Sequence, residues 1–552
     1  MELSFLLVLG VLQFNTNANV FGQLPANYIL FLAPHERGHL NPILEIAKQL
    51  TFSDKIKEYD VIVAVPSLAD VKVAKWVTNE GLQYLEAGTS NITLENMHNF
   101  ALYSQKKANY FGFLYWMATI FHDSNLVAYT TLLPLLISFP PRLIVFDMMM
   151  VWSVDLIQRL QIPGILVCPF VIDSLNLRSI RTYHIPPYTS PFLDYSIAYS
   201  TFFQRLKFFL FRITTLPIQQ YIFTRIFNRG RKELNLSPLE FDYEKLIESN
   251  LLTVLVSTAF PFDLIRPVHP TIHFLGPFIH QPVPSLDDDL NSYLNDVADK
   301  NDILLYISMG SIGTLTQNQL DKLTTGLVQI VQQGIQIDDQ HLNVRILWAR
   351  GKNLFKQNPL NDTNSFRLED YVQQKSVLNH RAMRKHGLYI NHCGMGSMHE
   401  SIFYGIPQLA FPLFVDQIQV AVRSHQLGNT NIFGTSLLID KDNFTPDEIV
   451  YKVETIVRNP EIYRSNTVKI SEMFKLYGGL TRAEQIINLV YKYRENVTKL
   501  WMPYNSNLNM IQQYSMDVIT TIFITFLIIL FCFYCCCCYR GRRKIFSTKK
   551  QQ

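Results

Sequence analysis

The chain has 552 residues, of which 48% are hydrophobic and 17% charged, and this composition excludes an intrinsically disordered chain and a coiled coil. Its 49 basic and 45 acidic residues give a formal charge of +4, but Arg540–Gln552 alone holds six basic residues and no acid. The rest of the chain therefore lacks the positive field that nucleic-acid binding requires, and its length allows two large domains.

The N-terminal residues have the pattern of a signal peptide. Leu3–Leu12 is an apolar run too short to span a bilayer, and small and polar residues follow it up to Gly22. We therefore expect residues 1–22 to be a cleaved signal peptide. The alternative is that the apolar run forms a buried first strand.

Short apolar runs then alternate with helical patterns. Four runs rich in β-branched residues are predicted strands: Tyr28–Ala33, Tyr59–Val65, Arg142–Phe146 and Gly164–Cys168. Helices are predicted between them, among others at Pro42–Leu50 and Val151–Leu160. Such alternation predicts a parallel sheet with helices on both faces.

A loop with two histidines is predicted after the first strand. His35-Glu36-x-x-His39 matches the H-E-x-x-H pattern of zinc proteases, which requires both histidines on one face of a formed helix. Here a strand ends just before the pattern, and Asn41-Pro42 has the residue types of a helix N-cap and first helical position. We therefore expect a loop and no zinc.

Asp147 lies at the end of a predicted strand, and the loop of His39 follows another. Both residues would lie at the carboxyl ends of parallel strands, where open α/β sheets bind their ligands. The alternatives are an ordinary loop histidine and a helix-capping aspartate.

Residues 196–231 are rich in aromatic and basic side chains (FFQRLKFFLFRITT and YIFTRIF). Such a segment could line an apolar pocket, lie at a membrane interface or form a pair of core helices. The sequence leaves the three interpretations open.

The segment Gly276–Pro284 carries three prolines and is the predicted boundary between two domains, 23–280 and 281–500. Asp287-Asp288-Asp289 follows and could bind a divalent cation, as Asp-x-Asp motifs do. Because Ser285 precedes these acids and a helical pattern follows them, we expect them in the first turn of a helix instead.

The alternation of strands and helices restarts after this boundary. Four further strands are predicted: Asp302–Ser308, Val344–Ala349, Leu388–Asn391 and Gln408–Phe411. The pattern therefore predicts two doubly wound, Rossmann-like α/β domains.

The stretch Tyr389–Glu400 predicts a buried strand, a turn with glycines and a helix. Gly394 and Gly396 allow a ligand to approach the backbone, and the helix N-terminus offers N–H groups and positive potential to a diphosphate. Ser397 and Glu400 have the spacing of a capping box, which predicts that the helix begins there. The alternative is an ordinary connection in which Glu400 is only a cap.

Residues 518–539 contain no charge and are long enough for one transmembrane helix. A basic cluster begins directly afterwards at Arg540, and basic residues that flank a span remain cytosolic. We therefore predict a type I membrane protein with a lumenal body, a juxtamembrane segment at 501–517 and a cytosolic tail at 540–552.

The final residues, Lys549-Lys550-Gln551-Gln552, resemble the dilysine retrieval signal of endoplasmic reticulum membrane proteins. Five of the seven cysteines lie at the cytosolic end of the span, where palmitoylation is possible, and a large core rather than disulfides must stabilise the body. Five sequons would be accessible to lumenal glycosylation: Asn91, Asn235, Asn361, Asn443 and Asn496.

The run NHCGMGSMHESIFYGIPQLAFPLFVDQ, residues 391–417, resembles the donor-binding signature of the UDP-glycosyltransferase family. The resemblance implies the GT-B architecture, with the acceptor in the first domain and the UDP-sugar in the second. In the donor site it implies that His392 and Ser397 contact the diphosphate beside Gly394 and Gly396, that Glu400 binds the ribose hydroxyls, and that Asp416 and Gln417 bind the sugar hydroxyls.

Two more segments resemble donor-side parts of this family. The stretch from Tyr371 to Gln374 resembles the segment that holds uracil, although the family usually has tryptophan at the first position and proline at the third, where this chain has Gln373. Tyrosine can still stack on uracil. The loop Ser308-Met309-Gly310-Ser311 resembles the family's phosphate-side loop.

On the acceptor side, GHLNP at residues 38–42 resembles the family motif whose histidine is the general base. The resemblance implies that His39 is this base and that Asp147 orients it. Arg266 lies in a stretch that resembles vertebrate members, and its cation could meet the carboxylate of glucuronic acid, a phosphate or a surface acid.

The resemblance implies inverting transfer of a hexosyl group, glucose or glucuronic acid, from a UDP-sugar to a hydroxyl of a small lipophilic acceptor. The expected partners are these two substrates and the endoplasmic reticulum membrane, with no nucleic acid, no metal and no other cofactor. The alternatives are a glycosyltransferase that acts on a membrane lipid or sterol, and a non-catalytic lumenal binding protein with the same fold.

Overall fold

Two parallel sheets form the framework of the body. The computed structural model describes residues 24–53, 58–105, 110–170, 201–238, 251–263, 270–311, 313–350, 354–355, 357–414, 416–425, 434–494, 501 and 516–548. The predicted signal peptide, Arg266 and Asn496 lie outside these residues.

The first sheet has seven strands: β1 (Tyr28–Leu32), β2 (Asp60–Ser67), β3 (Gln83–Thr89), β4 (Leu143–Asp147), β5 (Gly164–Cys168), β6 (Leu251–Val256) and β7 (Ile272–Phe274). The helices described between them are α1 (Arg37–Phe52), α2 (Ala74–Thr78), α3 (Leu94–Ser104), α4 (Tyr110–Ser138), α5 (Ser153–Leu160) and α6 (Phe202–Phe227).

The second sheet has six strands: β8 (Ile303–Ser308), β11 (Val344–Ala349), β12 (Phe366–Glu369), β13 (Leu388–Asn391), β14 (Gln408–Ala410) and β15 (Ser436–Leu438). A small antiparallel hairpin, β9 (Ile335–Ile337) and β10 (Gln340–Leu342), precedes β11. The helices described here are α7 (Asp288–Asp299), α8 (Gln317–Gln333), α9 (Gln374–Asn379), α10 (Arg381–Arg384), α11 (Met395–Phe403), α12 (Gln417–His425), α13 (Pro446–Arg458), α14 (Tyr463–Leu476) and α15 (Gly479–Tyr493).

Strand order indicates where each sheet would bind a ligand, at the carboxyl ends of its central strands. The orders are β3-β2-β1-β4-β5-β6-β7 and β12-β11-β8-β13-β14-β15, with all strands parallel. The order reverses between β1 and β4 in the first sheet and between β8 and β13 in the second. Ligands of doubly wound sheets bind at such switch points, outside the carboxyl ends of the strands.

The central strands have the buried apolar character that a parallel sheet requires. The strands β1, β4, β5, β8, β11 and β13 are buried along their whole length. This confirms the two doubly wound domains that the alternation predicts, and the strands of the two sheets lie on either side of the predicted boundary at residue 280.

Two predictions about helix ends in the second half have opposite outcomes. Asp287 is the N-cap of α7, its side chain accepts from the backbone N–H of Leu290, and Asp288 and Asp289 occupy the first turn. This confirms the helix-terminus interpretation of the three acids. The predicted start of α11 at Ser397 is wrong, because the helix begins at Met395 with Gly394 as N-cap.

The helix α15 packs against α1, the first helix of the chain. Glu484 accepts from Gln49 and Ser53 at 2.9 and 3.0 Å, and Tyr59 donates to Asn488 at 2.5 Å. The helix α15, which lies in the predicted second domain 281–500, therefore contacts the first domain through α1 and Tyr59.

A separate unit, residues 499–552, contains the apolar helix α16 (Met516–Thr548). Residues 516–535 of this helix have a mean hydropathy of 2.6 and are long and apolar enough to cross a membrane. This segment overlaps the predicted span at 518–539.

Candidate active site

A single cleft of about 760 Å³ lies at the switch points of both sheets. The loops after β1 and β4 form one wall, and the loops after β8 and β13 form the opposite wall. All twelve predicted donor-site residues line it: Ser308, Gly310, Ser311, Tyr371, Gln374, His392, Gly394, Gly396, Ser397, Glu400, Asp416 and Gln417. The fold thus brings together segments that are more than a hundred residues apart in the chain.

His39 and Asp147 form a buried hydrogen-bonded pair at the first switch point. The Nδ1 atom of His39 lies 2.9 Å from Oδ1 of Asp147, which also accepts from the backbone N–H of Met149 at 2.8 Å. Since Nδ1 faces a carboxylate, the tautomer with hydrogen on Nδ1 is favoured, and Nε2 is left to accept a proton. His39 lines the cleft, and Asp147 is fully buried behind it.

The surroundings of His39 combine apolar contact with negative charge. Its ring centroid lies 5.4 Å from that of Phe121 and 4.8 Å from that of Phe170, both in edge-on arrangements. Burial alone would lower the pKa of His39, but the carboxylates of Asp147, Glu36 and Asp416 outweigh burial and raise it. The imidazole is therefore a stronger base than its burial alone would allow.

The residues of the zinc-protease pattern do not lie on one face of a helix. The helix α1 begins at Arg37, so His39 is helical, whereas His35 and Glu36 precede the helix. The predicted start at Asn41-Pro42 is therefore wrong, because Pro42 lies inside the helix and only leaves the carbonyl of Gly38 without its usual helical donor. Among the described residues, no group of three His, Cys, Asp or Glu side chains is placed to hold a metal ion.

His392 is enclosed by the glycines of two loops at the second switch point. A Cβ atom at Gly310 or at Gly394 would lie 2.5 or 2.4 Å from the His392 ring, so neither position accepts a larger residue without a shift. Burial lowers the pKa of His392 to about 4. Near neutral pH His392 is therefore a neutral hydrogen-bonding group toward the cleft rather than a cation.

The N-terminal turn of α11 is open toward the cleft. A Cβ atom at Gly396 would meet nothing within 4 Å, whereas Ser397 and Glu400 are joined by Gln374. Gln374 Nε2 donates to Glu400 at 2.7 Å and lies 3.3 Å from Ser397 Oγ, and its Oε1 accepts from Tyr389 at 2.7 Å. Burial raises the pKa of Glu400, which the Lys375 cation and the Gln374 hydrogen bond partly offset.

Asp416 and Gln417 have different amounts of free hydrogen-bonding capacity. Oε1 of Gln417 accepts from the backbone N–H groups of Leu413 and Phe414 at 2.9 and 3.0 Å, so this side chain fixes its own loop and has only its N–H₂ group left to donate. Oδ2 of Asp416 is buried and has no hydrogen-bond partner among the described residues, and burial raises the pKa of Asp416 to about 6.

Tyr371 and the loop at Gly310 lie at the outer end of the cleft. The Tyr371 side chain is 75% exposed, which leaves a face of its ring free for stacking. Arg350, which prediction did not include, donates to the backbone carbonyls of Gly310 and Ser311 and lines the cleft beside Ser308. Arg266 lies outside the described residues.

Sequence reasoning also missed the apolar wall of the first domain. Side chains of α3, α4 and α6 and the loop after β5 form it: Met97, Phe100, Met117, Ile120, Phe121, Phe170, Phe223 and Phe227. The detectable signal was the long stretch 110–138, in which Asp123 is the only charged residue. Of the three interpretations of residues 196–231, two hold in part within the single described helix α6: Phe223 and Phe227 line the pocket, and Ile226 and Phe227 belong to the hydrophobic core.

A cluster of buried charges links the two walls. Oε1 of Glu45 on α1 lies 2.7 Å from Nζ of both Lys48 and Lys375, and its Oε2 accepts from the backbone N–H of His280 at 2.6 Å. Lys375 directly follows Gln374 in α9. The helix that carries His39 is therefore joined by an ion pair to α9, the helix that begins with Gln374.

Comparisons with known proteins indicate the family that the sequence motifs resemble. The family model described as UDP-glucoronosyl and UDP-glucosyl transferase matches residues 47–552. UDP-glucuronosyltransferase 2B15 from Homo sapiens is 26% identical over 302 residues, 52% of this chain and 51% of the relative. The 2-hydroxyacylsphingosine 1-beta-galactosyltransferase from Homo sapiens is 23% identical over 270 residues, 49% of this chain and 44% of the relative. The chain thus matches about half the length of these curated relatives.

Among solved structures, Phytolacca americana UGT2 complexed with UDP-2fluoro-glucose and pterostilbene is similar at a TM-score of 0.56 and 17% identity, covering 85% of this chain and 99% of that one. This likeness confirms the GT-B fold, with its two doubly wound domains. Because the family model covers nearly the whole chain, this protein belongs to the family of UDP-glucuronosyl and UDP-glucosyl transferases.

Proposed function

We propose that this protein transfers a hexosyl group from a UDP-sugar to a hydroxyl group of a small lipophilic acceptor, with inversion at the anomeric carbon. The observation that carries the proposal is the His39–Asp147 pair, 2.9 Å apart, on one wall of a cleft whose other wall holds the donor-signature residues. The apolar wall around Phe121 and Phe170 suits the body of a lipophilic acceptor.

In the proposed reaction Nε2 of His39 takes the proton of the acceptor hydroxyl as its oxygen attacks the anomeric carbon. The bond between that carbon and the diphosphate oxygen breaks, and UDP leaves with the electron pair. Asp147 keeps hydrogen on Nδ1 and stabilises the imidazolium that forms.

The donor would lie along the second wall. Uracil would stack on Tyr371, the ribose hydroxyls would bind Glu400, and the diphosphate would meet the N–H groups at the start of α11 beside His392. Asp416 would accept from sugar hydroxyls, and Gln417 would donate to them. The N–H groups at the start of α11 and His392 would supply hydrogen bonds to the leaving diphosphate, so we propose that no metal is required.

The test is transfer to a phenolic and a steroid acceptor from UDP-glucose, UDP-galactose and UDP-glucuronate, offered separately to the detergent-solubilised full chain. His39→Ala should lower kcat/KM by about 10²–10⁴-fold, the usual contribution of a general base. His341→Ala, an exposed histidine on β10 away from the cleft, is the matched control and should behave as the wild type. Binding of UDP without transfer in the wild type would refute the catalytic proposal in favour of a binding protein.

A membrane lipid or sterol is the second candidate acceptor. Two observations favour it: the apolar segment 516–535, and a relative named as a galactosyltransferase of a sphingolipid. Sphingolipid and sterol acceptors in mixed micelles, assayed beside the soluble phenol, distinguish the two substrate classes by their kcat/KM.

We also propose a location in the endoplasmic reticulum membrane with the body in the lumen. The four described sequon asparagines, Asn91, Asn235, Asn361 and Asn443, are all exposed and so accessible to the glycosylation machinery. Sensitivity of the expressed protein to endoglycosidase H, with protection of the body from protease added to sealed microsomes, is the expected result. An unglycosylated, protease-sensitive body would contradict this topology.

A further inference from the structure

Two polar side chains on the first-domain wall of the cleft, in the loop after β1, have hydrogen-bonding atoms without partners among the described residues. The side chains of His35 and Glu36 are only 2% and 9% exposed, and both residues line the cleft. His35 Nε2 and Oε1 of Glu36 form an ion-pair contact of 3.2 Å, whereas Oε2 of Glu36 and Nδ1 of His35 have no hydrogen-bond partner among the described residues. Buried polar atoms in native proteins nearly always have partners, so such a cluster requires an explanation.

Glu45, a buried carboxylate in the helix that follows, is an internal comparison. Its two oxygens are occupied by Lys48, Lys375 and a backbone N–H group. At Glu45 the fold therefore satisfies both oxygens of a buried carboxylate with its own groups. Glu36 differs because it faces the cleft and its Oε2 has no partner among the described residues, which indicates that the partner of this oxygen is a molecule that enters the cleft.

Glu36 lies beside the reacting centre of the proposed function. Its charge acts on both His39 and Asp147 and raises the pKa of His39. Burial would raise the pKa of Glu36, but the neighbouring His35 and His39 lower it by more, so Glu36 is ionised near neutral pH. An acceptor whose hydroxyl meets His39 therefore presents its adjacent substituents to a carboxylate.

We propose that Glu36 binds a second hydrogen-bond donor of the acceptor, a hydroxyl or ammonium group next to the hydroxyl that reacts. The acceptor class is then a diol or amino alcohol on an apolar body, and a carboxylate at the same position is rejected. The inference rests on the proposed function, because His39 defines where the reacting hydroxyl lies. A hydrogen bond to a charged group of this kind corresponds to a preference of about 10- to 100-fold.

Four phenols of similar shape test the proposal: ortho-ethylphenol, ortho-hydroxybenzyl alcohol, ortho-hydroxybenzylamine and salicylate. Wild-type kcat/KM should be highest for the amine and the alcohol, lower for ethylphenol and lowest for salicylate. Glu36→Gln should reduce the amine-to-ethylphenol ratio by at least about tenfold, because the charge is removed. Glu461→Gln, an exposed glutamate outside the cleft, is the matched control and should leave the ratio unchanged.

The ratio separates acceptor recognition from a general effect on the base. Loss of the Glu36 charge lowers the pKa of His39 and changes the rate with every acceptor, but this common factor cancels between two acceptors measured with the same variant. Partial misfolding cancels in the same way, and the ranking of the four phenols in the wild type requires no variant.

A binding measurement keeps the inference testable if no sugar is transferred. Equilibrium dialysis of the four phenols against the full chain, with UDP present, should give the same ranking of affinities, and Glu36→Gln should remove it. Equal affinities in the wild type would overturn the inference, whether or not the enzyme is active. So would a Glu36→Gln variant that raises KM for the UDP-sugar while the acceptor ratios stay unchanged, since Glu36 would then serve the donor.

Discussion

Replacing Asp147 with asparagine would remove the charge beside His39 while the side chain keeps its shape. In the structure Oδ1 accepts from His39 and from the backbone N–H of Met149, and Oδ2 has no hydrogen-bond partner among the described residues. The N–H of Met149 requires an oxygen at the first position. The amide oxygen of asparagine should therefore take that place and keep hydrogen on Nδ1 of His39.

The size of the effect follows from this geometry. A hydrogen bond to a charged group contributes about 1.5–3 kcal/mol and a neutral one about 0.5–1.5 kcal/mol, so the imidazolium loses roughly 1–2 kcal/mol of stabilisation in the transition state. At 1.36 kcal/mol per factor of ten, kcat/KM should fall by about 5- to 30-fold. Because Asp147 raises the pKa of His39, its replacement lowers that pKa and moves the acid limb of the pH–rate profile to lower pH.

The assay is kcat/KM for the best acceptor between pH 5 and pH 9, with Asp339→Asn, an exposed aspartate, as the matched control. A loss near 10⁴-fold would mean that asparagine imposes the wrong tautomer, and the anchoring by Met149 would then be incorrect. A loss below about twofold, or an acid limb that moves to higher pH, would show that the charge of Asp147 does not support His39.

Three further predictions concern other charged groups. Burial raises the pKa of Asp416 to about 6, so the carboxylate is protonated as the pH falls through that value and KM for the UDP-sugar should increase. A KM that stays constant from pH 5 to 8 would contradict this prediction. Asp155→Ala should lower the free energy of unfolding by about 3–5 kcal/mol in urea denaturation, because it leaves Arg231 buried without its two 2.8 Å contacts; a change below 1 kcal/mol would refute it. EDTA should leave the initial rate unchanged, and restoration of a lost rate by added Mg²⁺ or Mn²⁺ would show that a metal is required.

The fold was predictable where the strands are central and buried. The bounds of β5, β11 and β13 agree with the predicted runs to the residue, because a strand that is buried on both faces is a continuous apolar run between polar turns. The strands β3, β7, β12 and β15 at the sheet edges were missed, since edge strands carry mixed and short patterns, and the apolar strand β6 beside one edge was missed as well.

Helix starts were less predictable because packing overrides local preference. Leu40, Ile43 and Leu44 of α1 are buried against the sheet, and this extends the helix to Arg37 although Pro42 lies within it. At α11 the two side chains of the predicted capping box, Ser397 and Glu400, both accept hydrogen bonds from Gln374. They therefore do not cap the helix.

The candidate site was predictable as a set of residues but not as an arrangement. Family motifs indicated His39 and the donor signature, yet only strand pairing places the loops after β1, β4, β8 and β13 at one cleft. The ion pair of Glu45 with Lys375 joins residues 330 positions apart, and no local pattern reports such a contact. Local sequence patterns also did not predict the apolar wall, because its residues come from separate helices.

The contact between α15 and α1 has a consequence for how the chain folds during synthesis. Residues 28–274 emerge first and hold all seven strands of the first sheet, but Gln49 of α1 and Tyr59 receive their partners Glu484 and Asn488 only after the second domain has been made. At ~5–20 residues per second, the ribosome adds the intervening segment in about 10–40 s. During that interval the first domain is unfinished, because the surface formed by Gln49 of α1 and Ser53 after it is uncovered. Nascent chains arrested shortly before residue 479 should therefore bind folding chaperones, and release should follow once α15 has emerged.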